Sequence, residues 1–222
     1  MTTTLAFDVY GTLIDTQGVE SKLNELVGSI APEFSKTWRD KQLEYSFRRG
    51  LMKNYENFAV CTKHALEYTC MHYKTTLAEE EKNELLNCYR TLPAHNDVKE
   101  GLARLKAGNF RLYAFSNGRA DAVEELLTSA GIRDFFVGIV SADDLKSFKP
   151  NPAVYEHFLT SAGGSANNSW LISSNPFDVI GAISAGMKAA WVQRSKEAIF
   201  DPWGIKPTIT VESLSHLNEK IE

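Results

Sequence analysis

Cysteine is scarce in this chain: Cys61, Cys70 and Cys88 are odd in number and lack metal-ligand spacing. A disulfide framework is excluded, and the three read as buried or free thiols of a reducing compartment. No apolar run approaches the roughly 20 residues that a membrane helix needs. The first residues run directly into a strand, with no basic start or cleavage site, so the expected location is cytoplasmic. Positive charge is not in excess either. Lys and Arg number 24 against 28 Asp and Glu, for a net charge of −4 and a pI near 5.8. Neither a nucleic-acid surface nor a membrane surface is expected from such a balance. A Gly-rich phosphate loop, a His-Glu-x-x-His helix and a nucleophile-elbow serine are also missing. What remains is ordinary for a globular protein, with 43% hydrophobic and 23% charged residues. A length of 222 residues fits one large domain or a core with a substantial insertion.

The most informative stretch is LAFDVYGTLI, residues 5–14. Its near-continuous apolar character suits a strand buried on both faces. Asp8 falls where that strand should end, and Gly11 permits a turn that few other residues could make. A carboxylate there costs desolvation unless donors or a cation meet it. It either accepts turn hydrogen bonds or is a catalytic carboxylate at the strand end, where open α/β sheets place their ligands.

Beyond Thr16 the character changes. Up to about Leu92 there is no β-alternation, and helices are expected over 19–27, 32–50, 55–73 and 77–89. Pro32 fits a first helical turn and Gly50 a helix stop. Pro93 marks a return to alternation. Strands at 110–116, 136–140, 169–173, 189–192 and 209–211 are separated by helices at 98–107, 120–130, 152–162 and 178–185, with a helix expected at the C-terminus. The pattern implies a Rossmann-like, doubly wound parallel α/β core of residues 1–15 and 93–222, interrupted by an all-helical cap subdomain of residues 16–92. A cleft between the two is the natural place for a small ligand.

In a parallel sheet all carboxyl ends face one edge. Asp8 then shares that edge with Ser116, Asn117 and Gly118, with Lys149, and with Ser173, Ser174, Asn175 and Asp178. Taken singly, each is an ordinary turn, solvated lysine or helix-start residue. Together they place two carboxylates, a cation and several small donors around one point.

The strings FDVYGT, SNG, FKPNPAVYE and SSNPFD resemble the haloacid dehalogenase superfamily over nearly the whole chain. Most members of that superfamily are magnesium-dependent phosphatases. They carry a second Asp two residues after the nucleophile and an acidic pair in the last motif. Here Tyr10 and Ser174 stand at those positions, which removes the acid and part of the metal site together. The departures, with the string TWRDKQLEYSFRRGLM at 37–52, resemble the L-2-haloacid dehalogenase branch.

That resemblance implies hydrolytic dehalogenation of short L-2-haloalkanoates to D-2-hydroxyalkanoates through a covalent aspartyl ester, in a homodimer that needs no metal or cofactor. Asp8 is implied as nucleophile, braced by Thr12 and neutralised by Lys149. Ser116 and the backbone N–H groups of Val9 and Tyr10 are implied to receive the substrate carboxylate, and Arg39 and Asn117 the departing halide. Asp178 is implied to activate water, with Ser173 and Asn175 positioning the group and Tyr155 orienting Lys149 or Asp178. Tyr10, Leu43, Phe58 and Phe177 would line the pocket. Leu43 and Phe58 fit plain core packing equally well. No role falls to His64, His72, His95, His157 or His216. The alternatives are a phosphatase or phosphonatase of the same superfamily, and a silent relative that binds a small acid or a protein partner.

Overall fold

Six short strands carry the core of the computed structural model, which describes residues 2–221: β1 (Thr4–Phe7), β2 (Arg111–Ser116), β3 (Gly138–Ser141), β4 (Ser169–Ser173), β5 (Lys188–Val192) and β6 (Ile209–Val211). They form one sheet in the order β3-β2-β1-β4-β5-β6, and every pairing is parallel. The chain winds outward from β1 in one direction, then returns to β4 and winds in the other. The topological switch therefore lies between β1 and β4, where such sheets open a crevice at the strand ends.

Side chains sort onto the two faces with a period of two. Leu5, Phe7, Leu112, Ala114, Trp170 and Ile172 share one core with α5 (Val98–Ala107) and α6 (Ala120–Ser129). Ala6, Tyr113, Phe115, Leu171 and Trp191 share the other with α7 (Pro152–Ser161) and α8 (Pro176–Ser184). Burial on both faces explains why β1 is apolar throughout.

Between β1 and α5, among the described residues, lie four α-helices: α1 (Glu20–Val27), α2 (Ala31–Leu51), α3 (Phe58–Tyr73) and α4 (Glu79–Cys88). They form the helical cap, in which α2 packs along α3. Fully buried Trp38 anchors that pair, donating Nε1 to the Thr62 carbonyl at 2.9 Å. The chain enters and leaves this block side by side, since Asp15 N donates to Pro93 O at 2.8 Å and Ile14 bridges Ala94. Among the described residues, no helix is long and apolar enough to cross a membrane.

The element ends differ from expectation where caps decide them. α3 begins at Phe58 rather than Tyr55, because extended Asn57 accepts from Val60 N at 3.1 Å. α4 begins at Glu79 rather than Leu77, with Glu81 accepting from Ala78 N at 2.7 Å. Pro176 starts α8 two residues before Asp178. The C-terminal helix is a 3₁₀ segment, Leu214–Glu219, tied to α5 through Leu214 N and the Asp97 carboxylate at 2.7 Å.

Candidate active site

β1 ends at Phe7, and the ladder continues one residue further through Asp8 N to Ile172 O at 3.0 Å. The chain then turns through Gly11, whose φ of 84° is a left-handed conformation that L side chains rarely adopt. Asp8 is thereby fixed at the switch point between β1 and β4. Among the described residues, no acceptor meets the amide N–H groups of Val9 and Tyr10. Two adjacent backbone donors at a strand end make a receptor for an anion.

The two oxygens of Asp8 have different surroundings. Oδ2 accepts from Asn175 Nδ2 at 2.7 Å, Thr12 Oγ1 at 2.8 Å and Ser173 Oγ at 3.3 Å. Among the described residues, Oδ1 meets only Lys149 Nζ, at 3.2 Å. Lys149 is 1% exposed, and its ammonium also donates to Asp178 Oδ2 and to the Phe115 carbonyl, both at 2.8 Å. The Phe115 ring lies 4.1 Å from the same nitrogen. Removing three charges from water costs on the order of several kcal/mol per ion, so mutual pairing and full hydrogen bonding are what make this cluster tenable. Burial pushes the Asp178 carboxyl up from its ordinary range, against the opposing pull of Lys149 and with a further push from Asp8.

Tyr155, itself fully buried, donates its hydroxyl to Asp178 Oδ1 at 2.8 Å. Its position depends on Gly181 of α8, where an added Cβ would collide with the Tyr155 ring and hydroxyl and with Pro150. Ala is favoured over Gly in a helix by about 1 kcal/mol, but overpacking typically costs about 1–3 kcal/mol. Gly181→Ala should therefore lower stability, and a chemical-denaturation midpoint no lower than wild type would contradict this packing.

At the end of β2, Asn117 Oδ1 accepts from Lys149 N at 2.8 Å, which turns its amide donor elsewhere. Ser116 Oγ accepts from Gly118 N at 3.0 Å and keeps its own proton to donate. Tyr10 packs against Phe58 and Tyr89. Burial pushes its hydroxyl up to about 12, with Tyr89 adding to the rise and nearby Arg39 opposing it. Tyr10 therefore stays neutral.

The structure gathers Asp8, Thr12, Lys149, Tyr155, Ser173, Asn175 and Asp178 into one bonded network, with Asn117 joined through Lys149. Arg39 stands apart on α2, bonded to Gln42. A cleft of about 580 Å³ opens between cap and core, with Tyr10, Gln42, Phe58, Tyr89 and Gly118 in its walls. Asp8, Arg39, Leu43, Ser116, Asn117, Lys149, Phe177 and Asp178 are not in those walls; Leu43 O accepts from Ser46 Oγ, and Phe177 meets Phe47 edge-on with centroids 5.1 Å apart. Two participants have no sequence signal of their own: the Phe115 carbonyl and Gln42. Ser174, already placed at this edge by the sequence, lies with its hydroxyl 3.1 Å from Thr12 Oγ1 and spends its proton on Gly11 O at 2.9 Å.

The magnesium ion used by much of the superfamily does not fit this donor set. The Lys149 ammonium bridges the two carboxylates, Asp8 and Asp178, that would have to share the ion. Ser174 supplies a hydroxyl already committed to Gly11 O where an oxygen anion is wanted.

Residues 2–186 match the family model described as haloacid dehalogenase-like hydrolase. The chain is 34% identical over 218 residues to the (S)-2-haloacid dehalogenase of Pseudomonas sp. strain YL, covering 98% of this chain and 94% of that one. It superimposes on the L-2-haloacid dehalogenase of Xanthobacter autotrophicus with a TM-score of 0.90 at 29% identity, covering 99% and 98% of the two chains. The same enzyme with chloropropionic acid covalently bound gives 0.89 at 28% identity, with the same coverage.

Proposed function

The chain belongs to the haloacid dehalogenase-like hydrolase family, and from that membership we infer that it hydrolyses the carbon–halogen bond of short L-2-haloalkanoates, releasing D-2-hydroxyalkanoates and halide. One observation carries this reading: a buried carboxylate paired with a lysine lies next to Tyr10, a neutral side chain where a phosphatase needs an acid. A halide leaves as a stable anion and needs no proton.

Asp8 Oδ1 is the attacking oxygen, because Oδ2 is already held by three donors. It displaces halide from C2 with inversion, the C–X electron pair leaves with the halide, and an Asp8 ester forms. Substrate carboxylate and Asp8 are both anions, and at about 4 Å their repulsion is about 4 kcal/mol at an effective dielectric of 20. Lys149, Ser116 and the N–H groups of Val9 and Tyr10 offset it. Arg39 and the amide of Asn117 meet the halide, where charge develops.

In the second step Asp178 takes a proton from water, and the water oxygen attacks Cγ of the Asp8 ester. The carbonyl that becomes an oxyanion is Oδ2, and Thr12, Ser173 and Asn175 already point donors at it. The intermediate collapses by breaking the Cγ–Oδ1 bond, and the departing alkoxide takes back the proton held by Asp178, so the hydroxyl of the product carries the former Asp8 oxygen and Asp8 acquires one from water. Tyr155 holds Asp178 in place, while Tyr10 and Phe58 supply apolar wall.

The same reading includes a division into a core of 1–15 with 93–222 and a cap of 16–92, supported by the paired stem at Asp15 and Pro93. It also includes a cytoplasmic homodimer with no nucleic-acid or membrane partner. Incubation with L-2-chloropropionate should release chloride, while phosphate monoesters should release no phosphate. EDTA should leave the rate unchanged. Loss of rate in EDTA that magnesium restores, or phosphate release without halide release, would return the chain to the phosphatases.

A further inference from the structure

Gln42 lies one turn beyond Arg39 on α2 and is 1% exposed. A buried amide needs partners for both of its ends. Its Oε1 accepts from Arg39 Nη1 at 2.5 Å, and its Nε2 donates to Thr62 Oγ1 at 2.5 Å. Thr62 fixes which end is which. Its single hydroxyl proton goes to the Phe58 carbonyl at 2.8 Å, so toward Gln42 it can only accept. The direction is set from the α3 backbone outward: Phe58 O, Thr62, Gln42, Arg39. The bond from Trp38 Nε1 to the Thr62 carbonyl locks α2 and α3 in register around this chain.

Gln42 and Thr62 line the cleft, while Arg39 is not in its walls. Gln42 shares a wall there with Tyr10, Phe58 and Tyr89, and the Arg39 charge acts on the hydroxyls of both tyrosines. The partner presented to the guanidinium is neutral. A carboxylate would hold an arginine more strongly but would spend its charge. An amide oxygen takes one N–H and leaves the charge and the remaining donors of the fork for an arriving anion.

We propose that Gln42, oriented by Thr62, is a positioning residue for the halide end of the site, holding the Arg39 guanidinium in place without neutralising it. This rests on the dehalogenation reading and adds to it a determinant of leaving-group tolerance. A poorer leaving group needs more stabilisation as it departs, so loss of this bond slows chloride release more than bromide release. Misfolding would slow both by one factor.

The test is single-turnover halide release, with enzyme in excess, from L-2-bromo- and L-2-chloropropionate. Gln42→Leu should slow chloride release by on the order of tenfold to a hundredfold and bromide release by clearly less, so that the bromide-to-chloride ratio widens. Gln42→Glu should widen it too, by neutralising Arg39. Thr62→Val should act in the same direction, and Thr62→Ser, which keeps the hydroxyl, should restore the wild-type ratio. In an Arg39→Ala background Gln42→Leu should not widen the ratio further. An unchanged ratio in Gln42→Leu, whether the rates are normal or equally reduced, overturns the proposal while the dehalogenation reading stands. Failure of the wild type to release either halide defeats that reading itself.

Discussion

Asp8→Asn should abolish halide release, with a loss of at least about 10⁴-fold of the kind seen when a covalent nucleophile is removed. The substitution keeps the shape of the side chain and changes one atom and one charge. The amide cannot supply the anionic oxygen that attacks C2. Folding should survive, because Lys149 keeps the Asp178 carboxylate and the Phe115 carbonyl as partners. Substrate binding should survive as well, since the variant removes an anion that repels the substrate carboxylate. Halide release by ion chromatography, beside a thermal melt, makes the comparison. A well-folded variant that releases halide at near the wild-type rate would remove Asp8 from the role of nucleophile.

Asp178→Asn should separate the two steps. Attack on C2 needs Asp8 and Lys149, which remain, so one equivalent of halide should appear per enzyme. Hydrolysis of the ester needs a base, which is gone. Mass spectrometry should find the 1-carboxyalkyl group of the substrate on the peptide containing Asp8, and steady-state turnover should fall by about 10²–10⁴-fold, the usual worth of a general base. Absence of both burst and adduct would assign Asp178 to the first step.

Acid should imitate this variant. Burial holds the Asp178 carboxyl above its ordinary range, so at a given pH more of it is protonated than in an exposed aspartate. Steady-state turnover should therefore decline as pH falls, starting above the unperturbed carboxylate value of about 3.9. The ester should accumulate in that window. A decline that begins only below that value would show that burial does not hold Asp178 above its ordinary range in the ester-bearing enzyme, where it acts.

How much of this was legible in the sequence depends on the distance over which each contact forms. Asp8 and Thr12 are four residues apart, and a buried strand followed by Gly11 nearly dictates their meeting. The long-range members, Lys149 and Asp178, were legible for a different reason. Parallel strands bring all their carboxyl ends to one edge, so polar residues after successive strands must converge. The unequal surroundings of the two Asp8 oxygens had no such signal, because they depend on side-chain directions within one loop. The Phe115 carbonyl was invisible because every residue has one. Gln42 looked like any polar residue of a charged helix, and only its burial against α3 sets it apart. The starts expected at 55 and 77 precede those of α3 and α4 because the capping bonds of Asn57 and Glu81 decide where the helices begin.

Lys149 lies between two carboxylates, and this orders events in time. Before reaction its single positive charge is divided between Asp8 and Asp178, and the charge of Asp8 pushes the Asp178 carboxyl up. Once Asp8 becomes an ester, it is neutral. The push disappears and the ammonium turns wholly to Asp178, which must then ionise more readily than before. The base for the second step is thus armed by completion of the first, with no conformational change and no added proton carrier. Hydrolysis of the ester restores the Asp8 charge, and the division between the two carboxylates returns for the next substrate.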